Sequence, residues 1–248
     1  MSATRLLSKA AVLPFGLPAR RRADDVVILL YHRIGDGRSE IELSAQALDR
    51  HLEFVAPDAI TLDEALDGRG GIVITFDDGT PDFYGAVLPL LERHRVPALL
   101  YLATGGIGDA SLTWGQLGEC LDTRLVTVGS HTHTHANLSD ATEEVAEDEM
   151  RRSKELIEDR LGVACRHFAY PWAVGGPSAD RVARRLFDSA AWDAWRTNRA
   201  GHIDPYRLGR VPILRSDGDF FFHRKAEGQL DTEAWLYRAL GRGPWGKA

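Results

Sequence analysis

The stretch "GGIVITFDDGTPDF", residues 70–83, runs from strand-forming residues directly into two adjacent carboxylates and a glycine. Residues 72–76 are apolar or β-branched, which predicts a strand buried on both faces. Ending such a strand on Asp77 and Asp78 is costly, because buried like charges need a cation or hydrogen-bond donors close by. The stretch therefore predicts a buried strand that delivers two carboxylates to a functional site; the alternative is an aspartate turn cap.

Strand and helix patterns alternate on both sides of this stretch. Apolar runs at 25–32, 96–104, 124–130 and 165–171 predict four more strands, and weaker patterns lie at 192–198 and 206–214. Helical spacing or helix caps, with Ser44, Thr61 and Ser178 at N-termini and Gly162 at a C-terminus, predict helices at 43–55, 61–66, 81–94, 139–162, 177–187 and 231–240. This order indicates an α/β fold built on a parallel sheet, open or closed into a barrel. No repeat or long linker interrupts residues 25–248, so we expect a single domain there.

The composition is that of an ordinary soluble globular protein, with 44% hydrophobic and 27% charged residues among 248. A net charge of -6 and a pI near 5.8 give no reason to expect nucleic acid as a partner. No run of about 18 apolar residues predicts a membrane-spanning helix. Cys120 and Cys165 fit no zinc or redox spacing. We interpret them as buried free thiols, with a disulfide as the alternative.

Residues 1–24 differ from the rest of the chain. The first 22 residues carry five basic side chains and no acidic one. Their apolar segment is short, contains two prolines and is followed by three arginines, which is a poor match to a signal peptide. We expect a poorly ordered basic arm that contacts an anionic membrane surface, and a cytoplasmic or membrane-peripheral location rather than a secreted one.

Polar and aromatic residues follow four of the predicted strands. His32 ends the first strand, Asp77 and Asp78 the second, and residues 131–135 and 170–172 follow two later ones. In parallel α/β folds, reactive groups collect at the carboxyl ends of the strands. These side chains are therefore expected to meet at one rim.

The stretch "GSHTHTHANL", residues 129–138, has three histidines at alternate positions. His131 and His135 are four residues apart, one helical turn, so both imidazoles can face one ion while His133 points elsewhere. With one of the two carboxylates they make a His-His-Asp set that leaves coordination positions open, as in catalytic metal sites. The other carboxylate can then take a proton from the attacking water. The alternative for the histidines is a surface loop without a metal.

Three stretches together resemble a known family. "ITFDDGTPDFYGAVLPLLERHRVPALLYLATGGIG", "GSHTHTHANL" and "FAYPWAVGG" are similar, in this order, to the motifs of the NodB-homology polysaccharide deacetylases, carbohydrate esterase family four. The similarity extends over about residues 26–215. It implies a deformed (β/α) barrel of about seven strands. It also implies that Asp77 is the catalytic base and that Asp78, His131 and His135 bind the metal.

The resemblance departs from the family at the general acid. The family has a leucine-x-histidine motif near the C-terminal end, but "VPILRSDGDF" at 211–220 has no histidine. The same pattern occurs instead at residues 30–32, so the chain resembles the circularly permuted branch that includes poly-N-acetylglucosamine deacetylases. First and last strands of a barrel are neighbours, so permutation moves a strand end along the chain without moving it in space. His32 is accordingly the predicted acid, with a buried core histidine as the alternative.

The third motif differs as well. Ala169 stands where the family has a base-orienting arginine, so Arg166 and Arg210 are the candidates for that role. Trp172 follows the proline, and its backbone N–H can still stabilise an oxyanion. Further substrate candidates are Tyr170, the tryptophan rings of Trp192 and Trp195, and Thr132, which stands at the family's hydroxyl position.

These residues predict a metal-dependent hydrolase that removes N-acetyl groups from N-acetylhexosamine units of a glycan or glycan precursor. The implied cofactor is one divalent ion, zinc first, with cobalt, nickel, manganese and iron also compatible with the ligands. The implied partner is an N-acetylated carbohydrate. Alternatives are an O-acetyl esterase, a deacetylase of a small or lipid-linked sugar, and a non-catalytic sugar-binding protein that keeps the metal site.

Overall fold

A computed structural model describes residues 21–194 and 196–229, with the backbone alone for Asp193 and Ala194. Its ten strands are β1 (Asp25–Tyr31), β2 (Arg33–Ile34), β3 (Glu42–Leu43), β4 (Gly71–Phe76), β5 (Ala98–Leu102), β6 (Val126–Ser130), β7 (His167–Ala169), β8 (Ser189–Ala194), β9 (Asn198–Arg199) and β10 (Leu208–Pro212). Seven of them form a parallel sheet in the order β10-β8-β7-β6-β5-β4-β1, and an additional pairing of β10 with β1 closes it into a barrel. The predicted α/β barrel of about seven strands is confirmed.

The closure places the first strand between β4 and β10. Leu29 is in register with Ile74 on one side and with Val211 on the other, and all three strands run parallel. The short strand β9 pairs antiparallel with the N-terminal end of β1, at Asp25 and Val26. The residue that follows β1 therefore lies between the ends of β4 and β10. Circular permutation of the chain stays a prediction, but this neighbourhood of first and last strands is the one that it requires.

Seven helices pack around the barrel in the described part of the chain: α1 (Ala45–Val55), α2 (Leu62–Leu66), α3 (Leu88–His94), α4 (Trp114–Asp122), α5 (Glu143–Leu161), α6 (Pro177–Leu186) and α7 (Gly218–Ala226). The caps of the first two are as predicted, because the Ser44 and Thr61 side chains accept hydrogen bonds from the backbone N–H three residues on. Gly162 ends α5 in the left-handed conformation, also as predicted.

Other boundaries differ from the sequence-based expectation. The predicted helix 81–94 begins with a π turn, Phe83–Val87, ahead of α3. Helix α6 is capped at Gly176 and not at Ser178, because Pro177 lacks an N–H and suits the first helical turn. Helix α4 was not predicted, and β8 begins before the predicted strand at 192–198.

Alternate side chains of the strands pack on opposite faces of the sheet. On β1, Val27, Leu29 and Tyr31 belong to the large cluster that packs under the helices, whereas Val26 and Ile28 belong to the smaller cluster in the barrel interior. Both sets are buried, which explains why the strands are continuous apolar runs. Cys120 and Cys165 are buried free thiols, as predicted.

Some predictions lie outside the described residues. These are most of the basic arm at 1–24, the helix at 231–240 and the ring of Trp195. Among the residues that the structure does describe, none of the helices combines the length and apolar character that crossing a membrane requires.

Candidate metal centre at the carboxyl end of the barrel

Asp77 follows β4 and forms a buried ion pair with Arg210 of β10. Arg210 Nη1 and Nη2 donate to Asp77 Oδ1 and Oδ2 at 2.7 and 2.9 Å, in the paired geometry that is strongest for these two groups. Both side chains are almost fully buried. Burial raises the pKa of the Asp77 carboxyl, but Arg210 and then His131 more than offset this and hold the pKa below its usual value. Asp77 is therefore held ionised and fixed in orientation.

The chain turns sharply after Asp77, so that Asp78 takes a different direction. Asp78 and Gly79 have φ values of 75° and 76°, in the left-handed region. The positive φ at Gly79 favours glycine, and a Cβ there would also lie 2.6 Å from Leu102 Cδ2, so that the leucine side chain would have to shift. The turn separates the two adjacent carboxylates, as their predicted division of roles requires.

His131 and His135 meet at Asp78 from a loop that follows β6. Asp78 Oδ1 lies 3.3 Å from His135 Nε2 and 3.7 Å from His131 Nε2. The predicted helical turn between the two histidines is wrong, because residues 131–135 form an irregular loop with left-handed φ values at Thr132 and His135. The two imidazoles nevertheless lie 5.0 Å apart, centre to centre.

This arrangement fits a divalent metal ion. One ligand atom each from Asp78, His131 and His135 lies within 4.8 Å of the other two. Asp78 Oδ1 is buried and accepts no hydrogen bond of good geometry, so the oxygen that the imidazoles face has no acceptor role in the protein itself. Two imidazole nitrogens and one carboxylate oxygen suit zinc and the other transition metals, and they leave positions open.

The protonation of His131 favours metal binding. Its Nδ1 lies 2.8 Å from the Ala169 carbonyl oxygen, which can only accept, so Nδ1 carries the proton and donates. Burial lowers the pKa of His131 below its usual value, although Asp77 and Asp78 act in the opposite direction. Nε2, which lies 3.6 Å from Asp77 Oδ2 and 3.7 Å from Asp78 Oδ1, therefore keeps a free lone pair, which is the ligand-competent form.

His32 lies in the same cavity as these groups. A cavity of about 240 Å³ is lined by residues on, or in the segments after, the barrel strands β1, β4, β6, β7 and β10: Leu30, His32, Arg33, Ile41, Asp77, Asp78, His131, His135, Trp172, Ala173 and Arg210. Burial lowers the pKa of His32, whereas Asp77 and then Asp78 favour its protonated form. The structure thus brings the predicted acid to the predicted base and metal ligands.

Trp172 forms part of the rim of this cavity. Its ring lies edge-on to that of His135, with 5.1 Å between centres, and the residue is 55% exposed. Trp172 and Ala173 both have left-handed φ values, close to 60° and 56°. An exposed aromatic face beside a metal site is a surface on which a sugar ring can stack.

Two predicted substrate residues lie elsewhere. The Tyr170 side chain is fully buried and packs against Phe168 and Trp192, ahead of the turn at Pro171–Ala173. The Thr132 hydroxyl accepts a hydrogen bond from the Ala136 N–H, 3.2 Å away, and so stabilises the histidine loop. Neither side chain lines the cavity, and the prediction that they contact substrate is corrected for both.

The two candidate arginines also have different positions. Arg166 is half-exposed and pairs with Asp63 and Asp188. Arg210 alone of the two contacts Asp77. It could not be singled out from sequence, because its partner is 133 residues away along the chain. His133, as expected, points away from the metal ligands, and its Nδ1 lies 2.9 Å from Thr104 Oγ1.

A larger cavity adjoins the first one. It has a volume of about 460 Å³ and shares Arg33, Asp78 and His135 with the smaller cavity. Its remaining lining residues are small or polar: Thr80, Ala103, Gly105, Gly106, Ala110, Ser111, His133 and Thr134. The two cavities together form a groove that passes over the metal ligands.

Comparisons with known proteins agree with the fold and the motifs. Residues 67–186 match the family model described as "Polysaccharide deacetylase". The chain is 32% identical over 129 residues to a chitooligosaccharide deacetylase of Rhizobium leguminosarum bv. trifolii, covering 51% of this chain and 57% of that protein. It is 29% identical over 159 residues to a poly-beta-1,6-N-acetyl-D-glucosamine N-deacetylase of Staphylococcus epidermidis, covering 58% and 55%. The chain thus spans little more than half the length of the curated relatives that it matches.

A solved structure shares the whole fold. It is the Streptococcus pyogenes deacetylase PplD in complex with acetate, with a TM-score of 0.75 and 21% identity over 83% of this chain and 100% of that one. At this identity the likeness shows the fold alone.

The Arg210–Asp77 pair predicts a large effect on stability. Replacing Arg210 with methionine leaves a carboxylate buried without its cation, so we expect the free energy of unfolding to fall by about 3–5 kcal/mol. Lysine keeps the charge but not the paired geometry and should cause a smaller loss. Urea unfolding followed by circular dichroism measures both.

The matched control for this prediction is Arg166→Met, which removes an exposed arginine with two carboxylate partners. We expect it to change stability by less than about 1 kcal/mol. Equal losses in Arg210→Met and Arg166→Met would contradict the role given to the buried pair.

Proposed function

We propose, from the premise that the chain carries a polysaccharide deacetylase domain, that it is a metal-dependent hydrolase that removes N-acetyl groups from N-acetylhexosamine units of a glycan or glycan precursor. The observation that carries this proposal is the convergence of three metal-ligand candidates, Asp78, His131 and His135, with a second carboxylate that is held ionised. Both relatives described above are named as deacetylases of N-acetylated saccharides.

The metal is proposed to be zinc, with cobalt, nickel, manganese and iron as the other ions that this ligand set accepts. When bound, such an ion polarises the acetyl carbonyl group and lowers the pKa of a bound water. The protein supplies two imidazole nitrogens and one carboxylate oxygen and excludes bulk water from the inner side, where His131 is buried. The cavity beside these three side chains would admit the substrate.

Asp77 acts as the general base in this proposal. It takes the proton of the water that attacks the acetyl carbon, a role for which it must be ionised before reaction. Arg210 fixes the carboxylate in one orientation and favours its ionised form. Because each Asp77 oxygen already accepts from Arg210, the remaining lone pairs are the ones available for the proton.

His32 and Trp172 act at the departing nitrogen and at the acetyl oxygen. His32 donates a proton to the departing sugar nitrogen; burial lowers the pKa of His32 below its usual value, and the carboxylates of Asp77 and Asp78 act in the opposite direction. The backbone N–H of Trp172 stabilises the negative charge that develops on the acetyl oxygen before the C–N bond breaks. The C–N bond breaks, and the products are acetate and a free amino group on the sugar.

The size of the groove favours a substrate longer than one sugar. The acetamido-bearing ring would occupy the smaller cavity, and the adjoining cavity of about 460 Å³ would take the next part of the chain. Whether that substrate is a polymer or a precursor depends on location, for which the sequence predicts the cytoplasm or the membrane surface. The alternatives are an O-acetyl esterase, a deacetylase of a lipid-linked sugar, and a sugar-binding protein without turnover.

The two adjacent carboxylates should separate metal binding from catalysis. Asp78→Ala removes a proposed ligand, so we expect loss of both bound metal and acetate release. Asp77→Asn keeps the shape of the proposed base without its charge, so we expect bound metal with a kcat lower by about 10²–10⁴-fold. Metal analysis after dialysis and an acetate assay measure the two effects. Native acetate release in Asp78→Ala would rule out the metal-ligand assignment.

His32 should affect the chemical step alone. We expect His32→Gln to lower kcat by about 10²-fold or more, because the leaving nitrogen loses its proton donor, and to leave metal content unchanged. His202→Ala, which changes an exposed histidine away from the cavity, is the matched control. If His32→Gln keeps the kcat of the control, a different group is the acid.

A panel of acetylated sugars tests the reaction itself. Zinc-loaded protein should release acetate from N-acetylglucosamine oligomers, with a kcat/KM about tenfold above that for the monomer, equivalent to ~1.4 kcal/mol of contact in the second cavity. Release confined to O-acetylated glycans would favour the esterase alternative. Sugar binding without any release would favour the non-catalytic alternative.

A further inference from the structure

Glu149 of α5 is a buried carboxylate that contacts the histidine loop and has no role in the proposed chemistry. Its Oε2 accepts hydrogen bonds from the N–H groups of His133 and Thr134, at 2.9 and 2.8 Å. Its Oε1 accepts from the Thr134 hydroxyl at 2.8 Å. Only 9% of the residue is exposed. One side chain thus fixes the middle of the segment whose two ends are His131 and His135.

The loop has a backbone conformation that needs such a partner. Thr132 and His135 have φ values of 67° and 61°, which non-glycine residues adopt rarely and with strain. The consecutive N–H groups of His133 and Thr134 point the same way, toward one carboxylate oxygen. Without an acceptor at that place, two partly buried donors would lose their hydrogen bonds and the loop would relax.

Relaxation of the loop would move the metal ligands. His131 is held on its own side, because its N–H donates to the Leu102 carbonyl and its Nδ1 to that of Ala169. His135 has neither support, and it follows directly after the residues that Glu149 holds. A change in the loop therefore alters the position of the His135 imidazole relative to Asp78 and His131.

We propose that Glu149 is a positioning residue that sets the separation of the His131 and His135 imidazoles and thereby the affinity of the site for a divalent ion. The inference rests on the proposed function, because it takes these histidines to be metal ligands. Supporting groups behind metal ligands commonly contribute 10- to 100-fold in metal affinity. Glu149 acts one step further out, through the loop backbone, so we expect an effect near the lower end of that range.

If Glu149 had a purely structural role, its loss would be expected to weaken the docking of helix α5 on the barrel. Helix α5 is docked on the barrel by the buried side chains of Ala146, Met150 and Ile157 and by a 2.9 Å hydrogen bond between Ser153 and Ser130. Docking of the helix therefore does not depend on Glu149. Loss of the Glu149 side chain should therefore weaken metal binding while the protein is still folded, at temperatures far below that of unfolding.

Two substitutions at this position separate hydrogen bonding from charge. Glu149→Ala removes all three bonds. Glu149→Gln is isosteric: its amide oxygen can accept from both N–H groups, and its amide nitrogen can donate to the Thr134 hydroxyl, which is also an acceptor. If the bonds position the loop, glutamine restores what alanine removes.

The experiment is a titration of metal-free protein with Co²⁺, followed by the visible absorption of the bound ion, so that no activity is required. We expect half-saturation of Glu149→Ala to shift about tenfold to higher Co²⁺ concentration, and that of Glu149→Gln to stay within about threefold of the unmodified protein. Glu155→Ala, an exposed glutamate on the same helix, is the control and should not shift.

Equal Co²⁺ affinity in Glu149→Ala and Glu155→Ala would overturn the inference. Failure of the unmodified protein to bind Co²⁺ would instead overturn the metal site of the proposed function, so the two failures are distinguishable.

A second variant covers the case in which Glu149→Ala does not fold. Thr134→Val removes one of the three hydrogen bonds at an exposed position and keeps the shape of the side chain. We expect it to bind Co²⁺ about two- to threefold more weakly, by loss of a single bond. A Co²⁺ affinity of Thr134→Val equal to that of the control Glu155→Ala would count against the inference.

Discussion

The buried pair between Arg210 and Asp77 is the interaction on which the rest of the site depends. Arg210 lies on β10 and Asp77 directly after β4, and these two strands flank β1, so the pair connects both neighbours of the first strand where the barrel closes. Burying either charge alone would be strongly unfavourable. In the paired geometry, however, two guanidinium nitrogens of Arg210 donate hydrogen bonds to the two carboxylate oxygens of Asp77. The contact that connects β4 and β10 across β1 therefore keeps one carboxylate ionised, buried and fixed in the cavity that His32 also lines.

Because the Asp77 carboxylate is paired with Arg210, the carboxylate of Asp78 needs another partner. The left-handed turn at Asp78 and Gly79 directs the second carboxylate toward His135, while His131 Nε2 lies near both carboxylates, 3.6 Å from Asp77 Oδ2 and 3.7 Å from Asp78 Oδ1. Asp78 Oδ1 remains without a good hydrogen bond in the protein, which is the condition that a metal ion would relieve. Two identical side chains, adjacent in sequence, thus acquire different chemistry from the backbone between them.

The sequence predicted the fold and the residues of this rim, but not how they are held. Continuous apolar runs with polar ends indicated the parallel strands, and the ends at His32, Asp77, Asp78 and His131 do meet in one cavity. Local patterns of this kind depend on neighbours in the chain. Arg210 and Glu149 lie 133 and 15 or 16 residues from their partners, so only the folded chain shows the contacts. The position of the Tyr170 side chain was predicted wrongly for a related reason. The turn at Pro171–Ala173 decides which side chain faces the cavity, and residue type alone does not reveal the conformation of that turn.

Backbone strain is concentrated at the same rim. Of the seven non-glycine residues with positive φ in the described ranges, Asp78 and His135 are candidate metal ligands, and Thr132, Trp172 and Ala173 lie next to the candidate ligands in the histidine loop or at the cavity rim. Each such residue costs about 1–3 kcal/mol, so the rim persists only because other contacts determine it. Those contacts come from outside the rim, from β10 through Arg210 and from α5 through Glu149. If the loop were free to relax, the imidazoles and carboxylates would tend to move apart, because they repel one another or compete for the same hydrogen-bond donors. The barrel and its helices therefore form the rigid support for the geometry of the candidate metal ligands. The supporting residues, Arg210 and Glu149, accordingly come from β10 and α5, which contribute no candidate metal ligand.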